Sequence, residues 1–344
     1  MFLMTSTITI GDYTNIKPNA VKWKCSVSNF IDTCSIAIPL KTYLRNSDTT
    51  VSEYPDKSTE QKVTDLVNSN KTVFKEGDKV DVMLGYNGEN TTRFMGFVKR
   101  INYTKPLSIE CEGYSYQLNK KVFTKTYTST TVRDILSDLI AGTDIELSDA
   151  IPIIPLKNVV FKNCPGLKVL EWFQKECLLA VYFDFNSLYV GASKFGIKKP
   201  TQKIQIGWNT ADDSELKKDT TESQVIIHVV EKASTGKVKR TKSDQRKYST
   251  TKEIKVRAGM PDAVIKEIAN ELQKLENFSG YKGEVNCFLE PHIDNGYVVE
   301  IIDTRFPDRN GSYFVESVDG SFDSSGGRQK ITLRYYGNVD GTGN

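Results

Sequence analysis

The chain has 344 residues, of which 38% are hydrophobic and 26% are charged, a size and composition typical of two or three globular domains and not of a wholly disordered protein. The formal net charge of +3 is nearly balanced, which argues against a protein that coats nucleic acid. The six cysteines form no C-x-x-C pair, so neither a zinc cluster nor a thioredoxin-type redox site is expected. Free thiols in a reducing cytoplasm are the favoured interpretation.

The N-terminal residues do not have the pattern of a signal peptide. The opening MFLM is apolar but short, lacks a basic region and runs into threonine-rich sequence. No run of about 18 apolar residues occurs, so no membrane insertion is predicted. The protein is expected to be made and assembled in the cytoplasm.

Residues 1–125 have the pattern of an antiparallel β unit. Alternating apolar and polar residues predict three early strands, at 6–10, 23–27 and 33–38. Strands resume at Gly77 and continue to the end of the unit. A polar insertion at about 42–75 separates the two groups, and a capping box at its centre predicts one short helix.

Residues 126–200 change character and predict a small α/β domain. Thr131 and Asp134 can cap one amphipathic helix, and a second is predicted after Pro165. A hairpin follows, with its turn at Asn186. Two helices and a hairpin in roughly 75 residues are typical of a compact α/β unit.

Residues 201–336 return to strands and predict a second β unit. Within it, the basic stretch 231–253 has no apolar periodicity, which favours a solvated loop between two strands. The alternative is a contact with a neighbouring subunit or with the phosphates of nucleic acid. A proline opens a predicted helix at 261–276 with one apolar face. Residues 337–344 are interpreted as a tail.

A weak internal repeat links the two β units. Each copy has a glycine, two alternating apolar residues, an aromatic–valine pair and a closing strand. The first copy comprises Gly77, Val80, Val82, Phe97, Val98 and Ile101, followed by Leu107, Ile109 and Cys111. The second comprises Gly296, Val299, Ile301, Phe314, Val315 and Val318, followed by Ile331 and Leu333. The repeat predicts an antiparallel meander in each unit, with Gly96 and Gly311 near the start of the return strand.

These residues resemble the phage baseplate central hub family. EGDKVDV at 76–82, FMGFV at 94–98 and IECEG at 109–113 resemble the first barrel of the late-control D proteins of Mu- and P2-like phages, of the T4-type hub, and of the N-terminal part of type VI secretion VgrG spike proteins. Four later segments resemble the family's closing strands: GYKG at 280–283, NGYVV at 295–299, NGSYFV at 310–315 and GGRQKITL at 326–333.

The resemblance implies a mainly β (α+β) fold with two tail-tube-like antiparallel β-barrels and a small α/β domain between them. It implies a homotrimer that acts as a pseudo-sixfold adaptor between a hexameric tail tube and a trimeric spike in the baseplate of a virion tail or an injection particle. The implied partners are the tail tube, spike, tape-measure and baseplate wedge proteins, with DNA only as transit cargo. No needle or enzyme domain follows Tyr336, which implies a separate spike protein.

The sequence offers little for catalysis, and no catalytic, cofactor-binding or metal residue and no cofactor is predicted. His228 lies in an apolar strand and is interpreted as a wall residue. Glu290 and His292 could belong to a metal or acid–base site, but no third partner is recognisable. The acidic cluster Asp212, Asp213 and Glu215 favours a solvated loop over a cation site.

Other conspicuous residues are interpreted as determinants of the fold. This set is Gly77, Val80, Gly96, Gly296 and Gly311. Tyr114, Tyr116 and Tyr313 favour core packing, with interface positions as the alternative. Two other functions stay open: a tail-tip or distal-tail adaptor of a non-contractile phage, and a cell-wall hydrolase with β-sandwich modules.

Overall fold

The computed structural model describes residues 3–39, 45–46, 74–219, 225–232, 240–242, 250–276 and 280–334. The predicted helix of the polar insertion, the tail 337–344 and most of the basic stretch lie outside these residues. The strands are β1 (Met4–Ile10), β2 (Tyr13–Thr14), β3 (Ala20–Ser26), β4 (Thr33–Ile38), β5 (Arg45–Asn46), β6 (Lys79–Tyr86), β7 (Glu89–Asn102), β8 (Leu107–Glu112), β9 (Val122–Thr131), β10 (Glu146–Leu147), β11 (Pro155–Pro165), β12 (Ala180–Asp184), β13 (Ser187–Gly191), β14 (Thr201–Gln205), β15 (Thr210–Asp212), β16 (Lys217–Asp219), β17 (Val225–Lys232), β18 (Arg240–Lys242), β19 (Thr250–Arg257), β20 (Gly280–Phe288), β21 (Val298–Ile302), β22 (Gly311–Asp323) and β23 (Gly326–Arg334).

The helices are α1 (Ser115–Asn119), α2 (Val132–Ile140), α3 (Gly166–Lys175) and α4 (Asp262–Glu276), with a 3-10 turn at Pro307–Arg309. The predicted mainly β fold is confirmed. α2, α3 and α4 correspond to the three helices predicted outside the polar insertion, and α2 begins with the predicted capping box between Thr131 and Asp134. The five-residue α1 interrupts a segment that was predicted to be strand throughout.

The first β unit is an antiparallel sheet in the order β3–β4–β8–β7–β6–β1. The period-two alternation of these strands directs one set of side chains into a buried core. Ile8, Ile36, Val82 and Ile109 are fully buried there, each contributed by a different strand. The unit therefore folds around its own apolar centre.

The second β unit has a comparable sheet and a separate core. β22, β23 and β20 pair antiparallel in that order, and β21 pairs with the first part of β22. The short strands β15 and β16 lie along the other edge of β20. Val285, Val299, Val315 and Ile331 are fully buried between these strands.

The two units join edge to edge within one chain, through β3 and β22. These strands pair antiparallel from Ala20 opposite Asp323 to Ser26 opposite Ser317. The joint makes one continuous 15-stranded sheet. Although the α/β segment lies between the two units in sequence, they contact each other directly.

The structure confirms the internal repeat as equivalent meanders, β6–β7–β8 and β21–β22–β23. Both copies open with a glycine of positive φ, at Gly77 and Gly296. The amide of Gly77 donates to the carbonyl of Val98 at 2.8 Å, and that of Gly296 donates to Val315 at 2.9 Å. The return bond from valine N is 2.9 Å in each copy. The predicted pairing of residues is therefore confirmed at the level of single hydrogen bonds.

A β-bulge and an ion pair strengthen this equivalence. The ladder shifts register just after Val98 in β7 and just after Val315 in β22, so Lys99 and Glu316 occupy the same bulge position. Lys99 pairs with Glu112 at 2.7 Å, at the end of β8. Glu316 pairs with Arg334, the equivalent residue at the end of β23. The two copies keep the ion pair but reverse its polarity.

One part of the repeat prediction is wrong. Gly311 begins β22 as expected, but Gly96 lies inside β7 and not near its start. A Cβ on Gly96 would lie 2.2 Å from the carbonyl oxygen of Glu112, so the glycine permits close approach of β8 rather than a turn. The residue equivalent to Gly96 in the second copy is Tyr313.

The third core contains the α/β segment. β9 and β11 form a long antiparallel ladder, β12 and β13 form the predicted hairpin, and β10 pairs parallel with β13. Leu136, Leu170 and Phe173 of the two helices pack against the hairpin residues Val181 and Val190. All five are completely buried.

The described strands and helix of 225–276, a segment that was predicted to lie in the second β unit, contribute to this third core, which also contains Phe314 of β22. Ile227 of β17 and Ile265 of α4 are buried in the same cluster as Phe173. The amide of Arg257 donates to the carbonyl of Glu176 at 2.7 Å. Part of the predicted basic loop also forms strands, because β18 and β19 both pair with β17. We therefore propose to group 225–276 with the α/β domain.

Candidate functional site

A concave polar groove crosses the joint between the two β units. It encloses about 620 Å³ and lies on the face of the sheet opposite the cores. Alternation explains its composition: on β3, Trp23 and Cys25 face the cores, whereas Lys22 and Lys24 face the groove. Its other polar lining residues include Ser35, Lys99, Glu110, Asn286, Asp319, Ser321, Arg328 and Lys330.

Carboxylates pair with most of the groove's cations. Lys24 lies 3.1 Å from Asp319 across the joint, and Lys330 lies 3.0 Å from Glu284. These pairs are partly exposed, so each contributes little to the free energy of folding. They nevertheless set the chemistry of the surface: five cations and two carboxylates line the groove, and Glu284 and Glu112 beside it pair with Lys330 and Lys99. Pairing with these carboxylates weakens the attraction of the lysines for anions.

Glu290 and His292 do not form an acid–base pair. Glu290 lies 3.5 Å from the buried guanidinium of Arg93, and His292 Nδ1 lies 3.2 Å from Thr91 Oγ1. Burial, with the nearby charges of Arg93 and Lys199, lowers the pKa of His292 to about 3. A neutral imidazole held in this way is a packing residue at neutral pH.

The acidic cluster forms local contacts at the turn between β15 and β16. Asp212 accepts a hydrogen bond from the amide of Ser214 at 3.0 Å. Asp213 pairs with Arg309, and Glu215 lies 2.7 Å from Lys217. Within the described residues, no group of three or more histidine, cysteine or carboxylate side chains is arranged to hold a metal ion.

The remaining singled-out residues lie where packing was predicted. Tyr114, Tyr116 and Tyr313 are buried, and Tyr313 donates to the carbonyl of Arg309 at 2.8 Å. The backbone of His228 pairs opposite Glu253 and Lys242 in the three-stranded sheet β18–β17–β19. The side chain of His228 lies outside the described atoms, so its orientation stays a prediction. None of the helices in the described residues is long and apolar enough to cross a membrane.

A buried acidic contact lies beneath the joint, and no sequence pattern indicated it. Cys25 Sγ donates to Asp294 Oδ1 at 2.9 Å, and the Asp32 carboxyl lies nearby. Burial, followed by the charge of Asp294, raises the pKa of Asp32 well above its usual range, and burial likewise raises the pKa of Asp294. Asp32 Oδ1 has no hydrogen-bond partner among the described residues. An ionised carboxylate at this position is destabilising.

Replacing Asp32 with asparagine is therefore expected to stabilise the protein at high pH. Because the folded-state pKa of Asp32 is raised, the unfolded chain releases its proton first, and stability falls as pH rises above about 4. Asp32→Asn removes that loss and should raise stability at pH 8 by roughly 1–2 kcal/mol, with little gain at pH 4. Thermal unfolding of both proteins at pH 4 and pH 8 measures the difference in stability. The exposed Asp149→Asn variant is the control, and an equal effect of both variants would contradict the assignment.

The chain is similar to known proteins in its fold and not in its sequence. No protein-family model matches the chain, and no curated protein matches it by sequence. A tail protein from Neisseria meningitidis MC58 is similar in structure, with a TM-score of 0.62 and 13% identity over 97% of both chains. The 43 kDa tail protein of prophage MuSo2 from Shewanella oneidensis gives a TM-score of 0.59 and 12% identity over 96% of this chain and 97% of the other.

A third similar structure comes from a secretion system. It is an Escherichia coli component of the type VI secretion system, itself described as structurally similar to bacteriophage T4 tail proteins. Its TM-score is 0.53 at 10% identity, over 96% of this chain and 77% of that one. At these identities the likeness shows a shared fold.

Proposed function

We propose that this chain, which has the fold of the baseplate hub-like family of phage tails and type VI secretion systems, is a structural hub subunit. In this role three copies form a pseudo-sixfold adaptor between a hexameric tail tube and a trimeric spike. The hub would lie in the baseplate of a virion tail or injection particle and would be assembled in the bacterial cytoplasm. It would have no catalytic activity of its own.

The observation that carries this proposal is the pair of equivalent β units joined side by side in one sheet. Gly77 and Gly296 open copies that share hydrogen bonds, a bulge and an ion-pair position. A ring of three such chains presents six similar units, so it can match a sixfold tube on one side while staying threefold on the other. A single β unit per chain would give no such match.

The groove fits the same role. Its position on the sheet face opposite the cores, and across the joint, is where a ring would form its inner wall. A hydrophilic surface whose cations are largely paired would let tape-measure protein, and later DNA, pass without tight binding. The tube, spike and wedge proteins would contact the rims of the ring.

Electron microscopy of the assembled particle tests the proposal. We expect three copies on the particle axis, between tube and spike, with the groove residues facing the central channel. A position off the axis, or a copy number other than three, would contradict it. A particle with the hub on its axis but no contractile sheath would favour the tail-tip or distal-tail adaptor instead. A lysis band in a peptidoglycan zymogram would overturn the non-catalytic assignment.

A further inference from the structure

The joint inside the chain uses an edge of β22 that is shared by two strands. Two strands share one edge of β22, end to end. β21 pairs with the residues before the bulge, up to Phe314, and β3 pairs with those after it, from Ser317 to Asp323. The bulge at Glu316 marks the change from one partner to the other.

The equivalent edge of β7 is occupied only in its first part. β6 pairs with β7 up to Phe97, before the bulge at Lys99. After the bulge, Arg100–Asn102 pair with β8 on one side and with no other described strand. Lys99 and Arg100 are exposed. By equivalence with β22, this is where a strand like β3 would pair.

The second β unit contains the strand that corresponds to β3. In the first unit β3 pairs with β4, which pairs with β8; in the second, β15 and β16 pair with β20, which pairs with β23. Following the registers through these ladders places Lys217 at the position of Lys24 and Asp219 at that of Ser26. Among the described strands, only β20 pairs with β15 and β16.

We propose that β16 of one copy pairs antiparallel with the end of β7 of a second copy, an inference that rests on the proposed ring. Transferring the in-chain register places Asp219 opposite Arg100 and Lys217 opposite Asn102. The first of these pairs is oppositely charged, which favours this register. The shorter joint has three residues on each strand, whereas the in-chain joint has seven. Association between chains should therefore depend strongly on concentration.

Disulfide cross-linking of the full chain tests this register. The Asn102→Cys/Lys217→Cys variant, oxidised with copper phenanthroline at high protein concentration, is expected to form interchain disulfides, because directly opposed strand residues have the required separation. On a non-reducing gel the products should end at the trimer, since every introduced cysteine of a closed ring already has its partner. The Lys24→Cys/Asp319→Cys variant is the matched control, because it has the equivalent register inside one chain and should stay monomeric when oxidised.

Each outcome decides between the strand assignment and the ring. Trimer-limited cross-linking supports both. A trimer by native mass spectrometry that gives no 102–217 disulfide, while the control pair forms, overturns the strand assignment and leaves the ring standing. A ladder that continues beyond the trimer shows the β7–β16 contact but contradicts closure at three. A chain that stays monomeric and uncross-linked at its highest soluble concentration overturns this interface.

Discussion

Replacing Gly320 with alanine is expected to destabilise the protein by roughly 2–3 kcal/mol, because it overpacks the joint between the two β units. Gly320 in β22 lies opposite Trp23 in β3, and the indole ring packs over it. A Cβ on Gly320 would lie 2.0 Å from two ring atoms of Trp23, far inside van der Waals contact. Trp23 is itself buried in the first core, so the ring has little room to move. Chemical denaturation of both proteins measures the loss.

Two variants make the result specific to the joint. Ser321→Ala changes the next residue of β22, which faces the groove, and should have almost no effect. Trp23→Leu removes the ring and is destabilising by itself. Adding Gly320→Ala to that variant should then cause almost no further loss of stability. Additive losses in the double variant would show that the alanine acts elsewhere than against the ring.

The repeat could be predicted from the sequence because its signals are local. A glycine of positive φ, alternating apolar residues and an aromatic–valine pair each reflect a short piece of backbone. Those signals survive in both copies although the ion pair Lys99–Glu112 has become Glu316–Arg334. A charge reversal of this kind lowers sequence similarity while it keeps the interaction.

The joint could not be predicted, because it depends on pairing between distant strands. Ser26 and Ser317 are opposite each other although almost the whole chain separates them. The alternation of β3 predicts that one face is polar, but it carries no information about which strand lies beside it. The same holds for α4: its periodicity predicts an apolar face, but it carries no information about which core receives that face.

Arg93 gave no signal in the sequence, yet it connects the two β units. Arg93 lies in β7 of the first unit, and its side chain is 1% exposed. The guanidinium donates to the carbonyl of Leu289 at 2.7 Å and to Gln329 Oε1 at 3.3 Å. Gln329, in β23 of the second unit, also donates to the carbonyl of Pro291 at 2.6 Å. This buried polar contact holds the 289–295 loop against β7.

Arg93→Leu is expected to destabilise the protein by about 3 kcal/mol, because it leaves the Leu289 carbonyl buried without its charged donor. The same change removes one of the charges that lower the pKa of His292 from its usual 6.5 to about 3. That low pKa makes stability fall as pH drops from about 6.5 towards 3, since the unfolded chain takes up the proton first. Arg93→Leu should therefore raise the pKa of His292 only partly, because burial remains, and reduce this acid sensitivity. Denaturation and an NMR titration of the imidazole measure the two effects.

The Arg93 network also predicts how its effects combine. Arg93→Lys keeps a charge but cannot donate from a planar fork to two acceptors, so it should recover only part of the stability while leaving the pKa of His292 low. The double variant Arg93→Leu/Gln329→Leu should lose less stability than the sum of the losses in the two single variants. Removing both side chains leaves fewer buried polar groups unpaired than the two single changes leave in total. Two results would contradict this role: strictly additive losses of stability in the double variant, or an Arg93→Leu variant as stable as the natural protein. Either would show that the β3–β22 ladder holds the two β units together without help from this contact.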